Sequence, residues 1–357
     1  MILAGDIGGT NSRLAFFDVT DGQLKIVTES IYPSKEARGL DEIVVKFVNA
    51  AGHNADIATF GIAGPVRNGR VETSNLPWVV ESKRLAAELK TENVWVINDL
   101  EANAWGIPML GEKDVVTLNR VKGTPVGNQA VIAAGTGLGE AGMFWDGTQY
   151  RIFATEGGHA DFAARDELEI DLLRYLHTHF GGHVSYERIV SGPGLVNVYQ
   201  FLKDTGRGEE PAWLRDEIAH GVAAAAISSA AKGGRVPMAE QALDIWVSIY
   251  GAEAGNLALK IMAMGGVYLG GGIAPKILQK LAGPLFMQAF LAKGRMQPLM
   301  ETIPVRVITN DKTALLGAGR YAALKSGQIK PSHPCKAESS VRRCCCAWVI
   351  WSSEAAM

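Results

Sequence analysis

The 357-residue chain has no cysteine before Cys335. All four thiols, Cys335 and the triplet Cys344-Cys345-Cys346, fall at its far end, so neither a disulfide framework nor a cysteine-built metal site supports the preceding body. Long apolar runs are missing too. Stretches free of charge either fall far short of the ~20 residues a membrane span needs or are broken by glycine. Nor is there a surplus of charge of either sign: 35 basic against 37 acidic residues leave a formal net of −2, with a pI near 6.4. That balance offers no global attraction to phosphate polymers or anionic lipid, so neither nucleic acid nor a membrane is expected as a partner. Met1-Ile2-Leu3-Ala4-Gly5-Asp6 carries no basic leader and suits a strand better than a signal peptide, so the expected location is cytoplasmic.

What is present is an ordinary globular balance, 47% hydrophobic and 20% charged residues, enough to bury a sizeable core. The length is about twice what one core accommodates, which predicts two domains or one large one. Glycine is abundant, 41 residues, and falls in tight clusters, a sign of backbone turned close to a ligand.

The first cluster follows a strand. Ile2 to Ile7 suits a buried strand, Gly8-Gly9-Thr10-Asn11 turns, and Leu14 to Val19 runs apolar into the hairpin signal Asp21-Gly22. A Walker loop or a dinucleotide fingerprint needs a helix directly after its glycines, and Arg13-Leu14-Ala15-Phe16-Phe17 has no helical start signal. Helices are expected at Leu40–Ala51 and Ser82–Leu89, with strands at Ile57–Ile62 and Val94–Ile97, the latter ending in Asn98-Asp99. This alternation predicts α/β architecture with ligands gathered at the carboxyl ends of strands.

A second cycle repeats the first. Gln129–Ala134 reads as strand, Gly135-Thr136-Gly137-Leu138-Gly139 turns, and Ala141–Trp145 runs on to Asp146-Gly147, which suggests two related halves. Helices are then expected over Arg165–Phe180, Leu195–Lys203 (entered through Ser191 and Pro193), Trp213–Lys232 and Ala239–Met264. Gly266–Leu269 is strand-like, Gly270-Gly271-Gly272 turns, Pro275 opens a helix, Val305–Ile308 is a strand and Lys312–Leu324 a closing helix. Beyond Ile329 the composition changes abruptly, and residues 330–357 read as a disordered tail.

Gly5-Asp6-Ile7-Gly8-Gly9-Thr10-Asn11, Gly135-Thr136-Gly137-Leu138-Gly139 and Leu269-Gly270-Gly271-Gly272, in that order and spacing, resemble the bacterial glucokinase family of the hexokinase and actin superfamily. The resemblance runs from about Ile2 to about Ile329, and the combination is far more specific than one glycine motif. It implies an ATP-dependent kinase that phosphorylates glucose at O6, the reaction that opens glycolysis. Kinases for another hexose or an N-acetyl amino sugar, and a non-catalytic sugar sensor, are the alternatives. The implied fold is two α/β lobes of ribonuclease-H-like, actin-like ATPase topology around an interdomain cleft. The smaller lobe would take about residues 1–108 plus about 305–329 and the larger about 109–304. A homodimer is implied as well.

The residues support this reading physically. Two glycine hairpins can aim backbone N–H groups at phosphate oxygens without a lysine. By the resemblance, Gly5, Asp6, Ile7, Gly8, Gly9 and Thr10 with Gly135, Thr136, Gly137 and Gly139 bind the ATP phosphates, and Gly270, Gly271 and Gly272 accommodate the adenosine. Asp6 would meet hydrated Mg²⁺ through water. Asp99 matches the catalytic base, for which a carboxylate aimed at O6 is the chemical requirement. Asn75, Asn98, Glu156, His159 and Glu187 match the sugar contacts, and Gly64-Pro65, Thr73-Ser74 and Trp78 resemble the segment beside them. Carboxylates suit vicinal hydroxyls because each accepts two O–H donors at once.

His177, His179 and His183 invite a metal reading, but helical ligands need i, i+3 or i, i+4 spacing and no cysteine is near. The related repressor, open reading frame, kinase family typically carries a zinc site with several cysteines, which this body lacks. No helix-turn-helix precedes the first glycine loop either.

Overall fold

The structure is a computed structural model and describes residues 1–73 and 76–330. Of the tail expected at 330–357, all but Lys330 lies outside the described residues.

Two mixed sheets organise the chain. The first has the order β3-β2-β1-β4-β7, built from β1 (Ile2–Ile7), β2 (Asn11–Thr20), β3 (Gln23–Pro33), β4 (Ile57–Ile62) and β7 (Val94–Asn98). β1, β2 and β3 form an antiparallel meander, and β4 and β7 extend it in parallel. A short ribbon of β5 (Arg70–Glu72) and β6 (Val79–Glu81) stands apart. The second sheet has the order β11-β10-β9-β12-β13-β8, from β8 (Val115–Thr117), β9 (Gln129–Ala134), β10 (Leu138–Trp145), β11 (Tyr150–Thr155), β12 (Gly266–Gly270) and β13 (Val305–Ile308). Here too an antiparallel meander is extended by two parallel strands, so the two halves share one topology, with antiparallel β8 added at the edge of the second.

β1 is apolar almost throughout because both its faces are covered. Leu3 and Ile7 pack with α1 (Leu40–Ala51), whereas Ile2 and Ala4 pack with Leu315, Ala318 and Ala322 of the closing helix Thr313–Lys325. In the second half the core gathers round α8 (Pro237–Ile261), which is buried on nearly all sides among α5 (Gly192–Asp204), α7 (Ala223–Ala231) and the helix Pro284–Leu291. No helix among the described residues is long and apolar enough to cross a membrane.

The strand Val305–Ile308, expected in the smaller lobe, belongs to the second sheet. Val267 pairs with Val305, and Ile308 with Val115, so the chain crosses back only after Ile308. An isolated four-residue strand carries no mark of its partner, and the open edge of β12 supplies it. The run Trp213–Lys232, expected as one helix, is two: α6 (Ala212–His220) and α7, separated by Gly221 in extended conformation. Pro275 opens only a 3₁₀ turn and a four-residue helix.

α3 (Asp99–Gly106) lies between the sheets. Leu100, Ala104 and Ile107 pack with Val131, Ala133, Ala141 and Met143 of the second sheet, while Ala102 packs with Ile97 and Ala314. It crosses the closing helix so closely that a Cβ on Gly317 would lie 1.8 Å from the Ala102 carbonyl oxygen.

Candidate active site

The carboxyl ends of the central strands of both sheets meet at one cleft of about 650 Å³. One wall carries Gly8 and Gly9 of the first turn, Gly64 and Pro65 after β4, and Asn98, Asp99 and Asn103. The other carries Gly135, Thr136, Gly137 and Gly139 of the second turn, then Glu156, His159 and Glu187, with Gly271 beside them.

Each glycine turn is held from behind. In the first, the Gly8 N–H donates to the Asn11 carbonyl at 2.9 Å. Ser34 engages the turn's carbonyls, its N–H donating to Thr10 at 2.9 Å and its hydroxyl to Gly8 at 2.7 Å. In the second, the Gly135 N–H donates to the Gly137 carbonyl at 2.8 Å, and the Gly192 N–H at the start of α5 donates to the Gly135 carbonyl at 2.8 Å. That contact brings the positive end of a 13-residue helix to the turn, favourable for an anion. The third turn closes on the second. Gly271 has φ +81°, and a Cβ there would lie 2.3 Å from the Ala134 carbonyl oxygen, so no other residue fits.

Asp99 is the first residue of α3, immediately after β7. Burial pushes its carboxyl up to about 6; the bond from the Leu100 N–H opposes the rise, and the charge of Glu156 adds to it. Asp6 on β1 is also pushed up to about 6, chiefly by burial and then by Asp99, against the pull of Arg13. Gly61 on β4 separates the two acids. It pairs with Asp6 on one side, and its missing side chain lets the Asp99 Cα approach, a Cβ at Gly61 lying 3.8 Å from it and only 2.7 Å from the Ala102 Cβ.

Glu156 precedes a 3₁₀ turn, Gly157–His159, closed by the His159 N–H donating to the Glu156 carbonyl at 3.0 Å. Gly158 lies flat on the start of β10, where a Cβ would be 1.9 Å from the Leu138 carbonyl oxygen. Glu187 reaches the second glycine turn, its Oε2 accepting the Leu138 N–H at 2.9 Å.

The glucokinase family model matches residues 3–325. The chain belongs to the glucokinase family. A glucokinase of Nostoc sp. is 42% identical over 342 residues, covering 90% of this chain and 99% of the relative. One of Marinobacter nauticus is 37% identical over 317 residues, covering 88% and 95%. Among solved structures, a glucokinase from an Antarctic psychrotroph superposes with a TM-score of 0.77 at 29% identity, covering 90% of this chain and 98% of that one. A glucokinase of the repressor, open reading frame, kinase family from Streptomyces griseus, solved with glucose and AMPPNP, shares the two-lobed actin-like fold at a TM-score of 0.62 and 23% identity, covering 90% and 98%.

In this member of the glucokinase family the expected site residues do not all reach the cleft. Gly5 is a packing position inside β1, where a Cβ would lie 2.6 Å from Phe60, and Ile7 is buried in the core at 2% exposure. Thr10 is exposed beside the cleft lining rather than in it. Gly270 is buried in β12, and Gly272 faces open space. Trp78 is a core residue whose Nε1 donates to the Ala37 carbonyl at 3.3 Å. Asn75 and Ser74 lie outside the described residues. Asn98 lines the cleft, but it is also the cap of α3: its Oδ1 accepts from Leu100 at 2.9 Å and Glu101 at 3.3 Å, and its Nδ2 donates to Gly64 at 3.1 Å. Its amide also hydrogen-bonds the Asp99 carboxyl and so holds that pKa down. Among the described residues no group of three His, Cys, Asp or Glu side chains is placed to hold a metal. His183 pairs with Asp161 at 3.0 Å, and His179 lies against Tyr175.

Sequence reasoning passed over Gly61, Arg13, Asp311 and Asn103. Arg13 is paired in register with Asp6 and donates to Asp311 at 2.8 Å, so the first strand pair is tied to the segment that enters the closing helix. A charged residue in an apolar strand and a glycine in strand Ile57–Ile62 were the available signals.

Proposed function

We propose that the chain transfers the γ-phosphoryl group of ATP to O6 of glucose, with Asp99 as the base. The observation that carries this is the placement of one half-buried carboxyl, at the first turn of α3, between two backbone-lined glycine turns that face a common cleft. With a pKa near 6 the Asp99 carboxyl is ionised at neutral pH yet close enough to it to accept a hydroxyl proton.

Glu156, His159 and Glu187 accept and donate to the sugar hydroxyls from one lobe, and Asn98, beside Asp99, lines the cleft opposite them. Gly8 and Gly9 face Gly135, Thr136 and Gly137, and the N–H groups of Gly9, Thr136 and Gly137 hold the phosphates, those of Gly8 and Gly135 being bonded within their own turns. The turn at Gly271, the one of these three glycines that lines the cleft, takes the adenosine. Closing the lobes excludes water, which would otherwise compete with O6 for the phosphoryl group.

Mg²⁺ fits the donor set here. Asp6 is a hard oxygen donor, half-buried on β1 behind the cleft lining, and one carboxylate plus water and phosphate oxygens is how Mg²⁺ is usually held. When bound, the ion would neutralise charge on the β- and γ-phosphates. The chain is further proposed to act as a homodimer in the cytoplasm, with light scattering as the check on its mass.

The test is ATP-dependent formation of glucose 6-phosphate in a coupled assay, with Asp99→Asn beside the wild type. Sugar-stimulated ADP release on another hexose, without glucose turnover, would move the substrate. No turnover on any sugar would overturn the reading.

A further inference from the structure

Beneath the sugar-side turns lies a pair of buried acids that the reading above does not use. Glu140 of β10 is 1% exposed and Glu253 of α8 is 0% exposed. Glu140 shares with Leu138 the sheet face that packs on α8. Its Oε1 has no hydrogen-bond partner, and the one bond open to its side chain is to the neighbouring carboxyl of Glu253. Two ionised carboxylates are acceptors only, so that bond requires a proton on one of them.

The neighbours decide which. Glu253 is ion-paired with Lys260, whose Nζ lies 3.3 Å from its Oε1, and it accepts from Asn256 Nδ2 at 2.8 Å. Glu140 has no comparable cation. Tyr250 faces it from α8, and Tyr186 faces Glu253 from the segment before Glu187. Lys293 and the Arg165–Glu169 pair stand beyond Glu253. Burial first, then the charge of Glu253, pushes Glu140 up to about 8, with Lys260 opposing.

The pair touches the underside of both segments that carry sugar contacts. A Cβ on Gly157 would lie 2.0 Å from Glu140 Oε2, so the turn that presents Glu156 and His159 rests directly on this carboxyl. Thr155, opposite Glu140 in the ladder, donates its hydroxyl to the Glu140 carbonyl at 3.2 Å and accepts the Gly157 N–H at 3.2 Å. On the other side, Asn256 Nδ2 also donates to the Tyr186 hydroxyl at 3.0 Å, and Tyr186 is the residue before Glu187.

We infer that Glu140, as a neutral acid hydrogen-bonded to ionised Glu253, is a positioning residue for the sugar pocket, holding the Gly157–His159 turn against the cleft. The inference rests on the proposal that Glu156 and His159 contact the sugar. Loss of the proton to solvent sets two anions side by side. The element free to yield is the three-residue turn above, because α8 is a buried 25-residue helix.

The experiment is the pH dependence of KM for glucose at saturating ATP and Mg²⁺. In the wild type, KM rises by up to about tenfold between pH 7 and pH 9, the ratio of protonated fractions for a group titrating near 8, while kcat changes little. Glu140→Gln replaces the neutral acid by an amide that still donates to Glu253, and its KM stays flat over that range. Glu253→Gln, which can donate to an ionised Glu140, also removes the rise, and so keeps the test decisive if the first variant fails to fold. Glu140→Leu raises KM at every pH. A flat wild-type profile, or the same rise in both Gln variants, overturns the inference. Failure of the underlying sugar-site reading shows separately, as a Glu156→Gln protein whose KM for glucose is unchanged.

Discussion

Leu100 and Gly139 are in contact between the helix that carries Asp99, the proposed base, and the turn of the other sheet: a Cβ on Gly139 would lie 2.3 Å from Leu100 Cδ2. The side chain next to Asp99 is thereby seated on the second glycine turn, so the carboxyl and the turn that faces it are set by one packing contact. Gly139→Ala must displace Leu100, an overpacking cost of about 1–3 kcal/mol. We expect kcat to fall more than thermal stability alone would predict, and Leu100→Ala in the same chain to recover part of it; kinetics and melting of the single and double variants check this.

Asp99→Asn replaces the proposed proton acceptor with a side chain of the same shape. Turnover should drop by about 10²–10⁴-fold, the usual worth of a positioned general base. Glucose binding followed by intrinsic tryptophan fluorescence should persist, and turnover within twofold of wild type would remove Asp99 from the base role.

The same substitution should stabilise the ligand-free protein at neutral pH. Asp99 titrates near 6 in the fold, above its usual 3.8, so the fold binds its proton more tightly than the unfolded chain does. Its favourable contribution is complete below pH ~4 and is lost as pH rises through about 6. An amide stays neutral throughout, so Asp99→Asn should gain on the order of 1–2 kcal/mol at pH 7 after allowance for the open cleft. Denaturant melts at pH 4.5 and 7 should show a clearly larger gain at the higher value.

For activity the sign is opposite, because the base must be ionised. As pH falls through about 6, kcat/KM should decline, with both Asp99 and Asp6 gaining protons over that interval. Arg13 lowers the Asp6 pKa. Arg13→Met should therefore move the acidic limb to higher pH, and an unmoved limb would detach Asp6 from the activity.

Glu156→Gln should raise KM for glucose more than KM for ATP, since an amide cannot accept two hydroxyl donors in the same way. Equal effects on the two constants would remove Glu156 from the sugar side of the cleft.

By itself the sequence determined the α/β order, the glycine turns and the carboxylate after strand Val94–Asn98, because such features are written in neighbouring residues. Alternating and three-four apolar spacing specify strand or helix wherever the buried face is continuous, as in Leu40–Ala51. The repeat of strand, turn and strand was legible for the same reason, and both copies form the same meander. Only the tertiary structure decided that Val305–Ile308 joins the second sheet, since a ladder is set by the partner's open edge. It decided that Asn98 spends its Oδ1 on capping α3 and that Gly61 lets α3 approach β4. It also buried Glu140 of one strand against Glu253 of a helix more than a hundred residues away. Burial, approach and proton sharing depend on which distant atoms displace water around a group, and no local spacing records that.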